Sequence, residues 1–261
     1  MNNIRADIFI PTSNRVEPLK KCLDSLQDQT NKQFKVLLVA LKPNENVKNL
    51  VNLYKNLDID YFIQKDKGII PAGNEALQKA KHEIFIRIDD DVILDYCSMN
   101  SSFDLAKQKN FPAFQISLAT GSESSYPCTQ NMPGVEYTDT NFIEVMCPVF
   151  RKDTLVKVME LINQYDIYTG WGLDYVLSEW INSYVNVIHD VKMFHPPRPD
   201  TGSGYDKTNA FREMHELLHV VFPKVMAKEG RKMRTDYERF NPEIRSSECH
   251  KIQWYAVYAI E

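Results

Sequence analysis

The chain has 261 residues, 43% hydrophobic and 25% charged, which suits a globular protein with one sizeable α/β core. Its 31 basic and 35 acidic side chains give a formal net charge of −4, so no global attraction draws it to nucleic acid. The apolar runs are too short to span a bilayer, and the polar N-terminus lacks the apolar segment of a secretory signal, so a cytosolic protein is expected.

The first half alternates β-rich runs with helical patterns. A strand at 7–11 leads into a helix at 18–27, where Leu19, Cys22, Leu23 and Leu26 recur at three- and four-residue spacing and Pro18 suits the first turn. A strand at 34–40, a helix at 47–54, a strand at 59–63, a helix at 72–80 and a strand at 84–88 follow. This order predicts parallel strands joined by helical crossovers, with ligands held beyond the carboxyl ends of the strands. Next come a strand at 113–118, a Gly/Ser/Pro/Asn-rich loop at 120–134, a strand at 143–150 and a helix at 153–163. The loop is long for a connector, as lids, binding loops and disordered segments are.

After Gly170, Trp171 and Gly172 a helix runs to 184, a strand covers 185–191, and a Pro/Gly-rich bend covers 196–204. A long helix at 209–229 carries Phe211, Met214, Leu217, Leu218, Val221 and Val225 on one stripe, which fits packing on the domain or lying on a membrane. Lys224, Lys228, Arg231, Lys232 and Arg234 form a basic patch, read as a solvated helix face or as peripheral docking on an anionic membrane or acceptor. Residues 252–260 would add an edge strand or cover a face. The five cysteines, Cys22, Cys97, Cys128, Cys147 and Cys249, lack close pair spacing and fit reduced thiols.

Asp89, Asp90 and Asp91 directly follow the strand ending at Ile88. If the backbone stays extended, Asp89 and Asp91 share one side and Asp90 points away. Carboxylates that close raise each other's pKa unless a cation lies between them, and oxygen ligands suit Mg2+ or Mn2+ shared with substrate phosphates. The plainer alternative is an acidic turn that caps a helix.

Residues 10–15 (IPTSNR), 68–74 (GIIPAGN) and 88–91 (IDDD) stand in the order seen in family 2 glycosyltransferases and their GT-A relatives, which the first 200 residues or so resemble. The resemblance implies an α/β GT-A fold with a mostly parallel central sheet flanked by helices. Residues 1–204 would form the catalytic domain, and 205–261 a helical extension and tail packed on it. It implies a nucleotide-sugar donor, with uridine the family's commonest base. Pro11, Thr12 and Arg15 would line the nucleotide pocket, and Gly68 and Asn74 would bound the second donor segment. Asp89 would face the ribose, Asp90 would complete the donor-side triplet, and Asp91 would ligate Mn2+ or Mg2+ bridging the diphosphate. One departure is the missing acidic base reader after the second strand, where Asn44 or Glu45 would have to substitute from the loop.

Residues 169–175 (TGWGLDY) resemble the acceptor-side segment that holds the catalytic carboxylate, making Asp174 the candidate general base of an inverting transfer. Helix capping is its structural alternative. Trp171 would stack on an acceptor saccharide or glycolipid headgroup and Gly172 would let the backbone approach, with core packing as the alternative. His195 resembles the additional metal ligand of many GT-A enzymes; His189 is the alternative, and His215 and His219 lack an HExxH pattern. The expected activity is metal-assisted sugar transfer in polysaccharide biosynthesis. A nucleotidyltransferase would want a Gly-rich basic loop after the first strand, absent here, and the missing base reader keeps open a non-catalytic carbohydrate-binding protein on a degenerate fold.

Overall fold

The computed structural model describes residues 5–30, 33–197, 207–231 and 244–245. The crossovers expected in the first half are present: β1 (Ala6–Thr12), α1 (Val16–Gln27), β2 (Phe34–Ala40), α2 (Glu45–Val51), β3 (Asp58–Ile63), α3 (Ile69–Lys79) and β4 (Ile84–Arg87). Strands β3, β2, β1 and β4 lie side by side and parallel. There follow β5 (Ile93–Leu94), α4 (Ser98–Lys109), β6 (Ala113–Leu118), β7 (Tyr137–Thr140), β8 (Pro148–Arg151), α5 (Lys152–Ile162), α6 (Leu173–Trp180) and β9 (Val185–Phe194). Helices α7 (Lys207–Glu216) and α8 (Phe222–Lys228) and the short β10 (Ile244–Arg245) complete the described chain.

The central sheet runs β10-β7-β9-β6-β8-β4-β1-β2-β3, with β5 beside β9. It is mixed, and the mostly parallel arrangement expected holds only for its first half. Strand β8 lies antiparallel between β4 and β6, and β6 runs parallel to β9. That single reversal returns the carboxyl ends of β1, β4, β6 and β9 to one edge, where a ligand cleft belongs.

Apolar layers cover both faces. On one, α1 buries Leu19, Cys22, Leu23 and Leu26. On the other, α3, α5 and α6 pack together with Leu217, Leu218, Val221, Phe222 and Val225 from the C-terminal helices. Phe211 departs from the predicted stripe and is 54% exposed. The single helix expected at 209–229 is broken by a π turn over Leu217–Val221. Pro223, just beyond, has no N–H and its ring would clash with a carbonyl one turn earlier, and the wider turn absorbs that misfit.

Other differences have local causes. Helix α4 went unpredicted because serines dilute its apolar face; Ser102 sits buried there, its hydroxyl donating to the Ser98 carbonyl at 2.6 Å. The strand expected at 143–150 forms only from Pro148, because the Glu144 N–H donates to the Gln115 side chain at 2.7 Å instead of to a neighbouring strand. The helix after Gly172 stops at Trp180, and Asn182 takes the left-handed conformation two residues on. Cys22, Cys97, Cys128 and Cys147 are free thiols. Among the described residues no helix is long and apolar enough to cross a membrane. Cys249, Lys232, Arg234, most of the Pro/Gly-rich bend and residues 252–260 lie outside the described residues.

Candidate active site

Strand β1 delivers Thr12 to the carboxyl edge, and a left-handed Asn14 turns the chain so that Arg15 faces the end of β4. There the backbone does not stay extended: the Val92 N–H donates to the Asp89 carbonyl at 3.1 Å, closing a turn through the acidic triplet. The turn corrects the expected alternation. Asp90 and Asp91 both meet Arg15, whose guanidinium donates to Asp91 Oδ2 at 2.8 Å and to Asp90 Oδ1. Thr12 donates to Asp90 Oδ2 at 2.7 Å, while Asp89 turns to Arg87 at 3.0 Å. Burial pushes the Asp90 carboxyl above its ordinary pKa, and the charge of Arg15 opposes that shift. Pro11 sits one residue earlier on β1, opposite Val39 of β2.

Asp91 also faces His195, its Oδ1 lying 3.5 Å from Nε2, with both side chains nearly fully buried. His195 follows the last residue of β9, and its backbone is fixed by the loop after β6, where the Glu123 N–H donates to its carbonyl at 2.9 Å. The pair offers one carboxylate oxygen and one imidazole nitrogen. Among the described residues no group of three or more His, Cys, Asp or Glu could hold a metal ion. Two protein ligands fit a hard divalent ion that draws its other ligands from a diphosphate. His189 does not compete: Met132 N–H donates to its Nδ1 at 3.1 Å, Thr138 lies 3.1 Å from Nε2, and burial pulls its pKa down to about 4. His215 and His219 lie exposed beside each other on the C-terminal helices, ring centroids 4.4 Å apart.

Other donor-side candidates are placed less directly. Asn74 exchanges both amide hydrogen bonds with Asn163, at 2.7 and 3.0 Å, linking α3 to α5 and not to the acidic turn. Gly68 has φ 127°, and a Cβ there would stand 2.7 Å from the Tyr168 carbonyl oxygen, so the start of α3 can touch the 168–171 loop only as glycine. Asn44 caps α2, accepting from the N–H groups of Asn46 and Val47, and the Glu45 side chain is largely exposed beside Lys48.

In the segment expected to meet the acceptor, Gly170 and Gly172 take positive φ and turn the chain into α6, whose first turn carries Asp174. Its Oδ1 accepts from the Tyr175 N–H at 3.2 Å. Desolvation, and next the charge of Glu144, push the Asp174 carboxyl up to about 7. Asp174 is part-exposed and lines a mostly apolar cavity. Sequence reasoning missed Glu144. It is buried, accepts from the N–H and hydroxyl of Ser125 at 2.5 and 2.9 Å, and is raised above the usual carboxylate range by burial, against the pull of His195. The available signal was a lone acid inside the apolar run at 142–150.

The C-terminal helices shape this side. Trp171 is half-buried with Phe211 edge-on at 5.1 Å. The space where a Gly172 Cβ would stand is taken by Met214, 3.0 Å away, so Gly172 serves helix packing. Glu213, fully buried, accepts from the N–H groups of Tyr168 and Thr169 at 2.9 and 2.8 Å and from Asn209 at 2.9 Å. Glu213→Ala strands those amides and is expected to cost about 1–3 kcal/mol, read as a shift in urea midpoint. Of the basic patch, Lys224 and Lys228 are exposed, whereas Arg231 braces α8 by donating to the Glu179 carbonyl.

Residues 7–132 match the model of Glycosyl transferase family 2. An uncharacterized glycosyltransferase of Rickettsia bellii is 21% identical over 112 residues, 42% of this chain but 16% of that protein. Among solved structures, S. aureus TarS in complex with UDP-GlcNAc superposes with TM-score 0.58 at 16% identity, over 82% of this chain and 65% of that one. GalNAc-T7 with UDP, GalNAc and Mn2+ gives TM-score 0.62 at 12% identity, over 78% of this chain and 45% of that one. The turn with Thr12, Arg15 and the acidic triplet lies wholly within the segment that matches the family 2 glycosyltransferase model, and the chain as a whole has the GT-A fold.

Proposed function

We propose that the chain transfers a sugar from a UDP-linked donor to a hydroxyl of a saccharide or glycolipid acceptor, with inversion at the anomeric carbon. The observation that carries this reading is the meeting of Asp91 with His195 at the carboxyl edge of the sheet, with Glu144 close enough for its charge to act on both His195 and Asp174. The family match, the UDP-GlcNAc bound by TarS and the UDP, GalNAc and Mn2+ found with GalNAc-T7 support it.

In this reading Pro11, Thr12, Arg15 and Asp89 border the nucleotide, and Asp91 and His195 hold Mn2+ or Mg2+. That ion, when bound, supplies Lewis-acid charge to the departing diphosphate. Asp90 and Thr12 fix the acidic turn. Asp174 accepts the proton of the acceptor hydroxyl, and a pKa near 7 suits a base that works at neutral pH. Glu144 keeps that pKa high through its own negative charge. Trp171, edged by Phe211, offers an apolar face to an acceptor ring.

Calorimetry with a panel of nucleoside diphosphates, with and without Mn2+, tests the reading on the wild type and on Asp91→Asn. UDP is expected to bind only with metal, and at least tenfold more weakly to the variant. Binding indifferent to metal, or none, would point to a degenerate, non-catalytic fold, and pyrophosphate release from a nucleoside triphosphate would point to a nucleotidyltransferase. A product that retains the donor's anomeric configuration would remove Asp174 from its role.

A further inference from the structure

The proposed reaction leaves one feature unused, a cavity of about 70 Å³ beside Asp174. It lies between Phe9, Phe85 and Phe150 of the sheet and helices α3, α5 and α6, and among its lining residues only Arg87 and Asp174 are charged. Ile69, Val145, Leu173 and Asp174 are part-exposed and form its mouth. Arg87 donates to Asp89 through Nη2, but its buried Nε–H has no acceptor among the described residues. A guanidinium stays charged at any physiological pH, so that buried N–H is costly until something accepts from it.

An occupant of the cavity must meet three conditions. It must bring a hydrogen-bond acceptor to Arg87. Its far end must be apolar, because away from Arg87 and Asp174 the lining is made of apolar side chains. It must also be smaller than a six-membered ring, since the space is roughly half of the ~150 Å³ cavity that holds benzene. A carboxylate or phosphate meets the first condition, but its negative charge would stand beside Asp174 and beside the Asp89 that Arg87 already holds. A neutral acylamino group meets all three: its carbonyl accepts from Arg87, its methyl fills the apolar space, and its N–H can donate to a carboxylate.

We propose that this cavity is a subsite for the acylamino group of an N-acetylated hexose, an inference that rests on the transferase reading above. Arg87 is bonded to Asp89 on the donor side, and Asp174 stands on the acceptor side. The group therefore belongs to one of the two sugars that meet there, and binding experiments separate them.

Calorimetric titrations with Mn2+ compare UDP-GlcNAc with UDP-glucose. On UDP-loaded protein they compare the methyl glycosides of N-acetylglucosamine and glucose. In one of the two pairs the acetylated member is expected to bind at least tenfold tighter. That ratio falls to near one in Arg87→Met, which lacks the donors, and in Gly73→Leu, which fills the cavity. Gly73 is helical, and a Cβ there meets Phe9 and Met159 at 3.6 and 3.8 Å, ordinary contact distances from which the longer side chain can enter the space. Each variant is judged by a ratio within itself, so a general loss of affinity does not imitate the effect. Ratios near one in the wild type for both pairs, with UDP still bound, overturn the subsite alone. A ratio that survives both substitutions also overturns it, and failure to bind UDP overturns the transferase reading and the subsite together.

Discussion

Asp174→Asn is expected to lower sugar transfer by about 10²–10⁴-fold while making the protein more stable at pH 8. Both effects come from one cause. The folded carboxyl titrates near 7, against 3.8 for an ordinary aspartate, because burial and Glu144 disfavour its charge. Below the unfolded pKa the group is protonated in both states and stability is full. As pH rises towards 7 the unfolded chain ionises freely while the folded one resists, so stability is lost across that window and stays lost above it. Each pKa unit corresponds to about 1.4 kcal/mol, and partial exposure trims the total, so the wild type loses on the order of 2–4 kcal/mol that the asparagine variant keeps. Urea unfolding at pH 5 and pH 8 reads this directly: the gap between the two proteins is smaller at pH 5 and widens by pH 8. The rate of the wild-type reaction should rise through pH 7 as the base ionises. A variant equally active, or no more stable at pH 8, would remove Asp174 from the base role.

Arg15→Ala is expected to destabilise the chain by about 2–3 kcal/mol, and Mn2+ without any nucleotide should restore most of that loss. Asp90 and Asp91 each have side chains only 3% exposed, and Arg15 is the cation paired with both. Removing one partner of a buried pair leaves uncompensated charge. The Arg15 side chain is 35% exposed, so solvent screening reduces the full penalty for breaking such a pair. A divalent ion at Asp91 would then supply the missing charge. The measurement is the thermal midpoint of both proteins with and without Mn2+. A larger upward shift in the variant than in the wild type is expected, and equal shifts would mean that guanidinium and metal do not share the acidic turn.

The first half of the fold was legible in the sequence because its signals are local. A β-rich run ending in three aspartates, a Pro-Thr-Ser-Asn-Arg turn and a glycine-led helix each announce themselves within a few residues. The geometry of the triplet was not legible: alternation assumes an extended backbone, and the hydrogen bond from Val92 to Asp89 folds it into a turn. Pairing of Asp91 with His195 depends on β9 running parallel to β6, a tertiary fact. Glu144 was hidden for a similar reason. A buried acid in an apolar run reads as part of a strand until Ser125, from a distant loop, is seen to satisfy it. Helix α4 escaped because its serines blur the apolar periodicity on which sequence reading relies.

The tie from Glu213 to the amides of Tyr168 and Thr169 also sets an order of assembly. Chains emerge from the ribosome N-terminus first, and the parts already made begin to fold. The first half, from β1 to the acidic turn, can pair its own parallel strands early. The loop with Trp171 and Asp174 must wait, because the hollow over Gly172 and the acceptor for its neighbouring amides arrive only with α7. Until then a nascent chain can hold the folded acidic turn while the 168–172 loop still lacks the side chains that fix it.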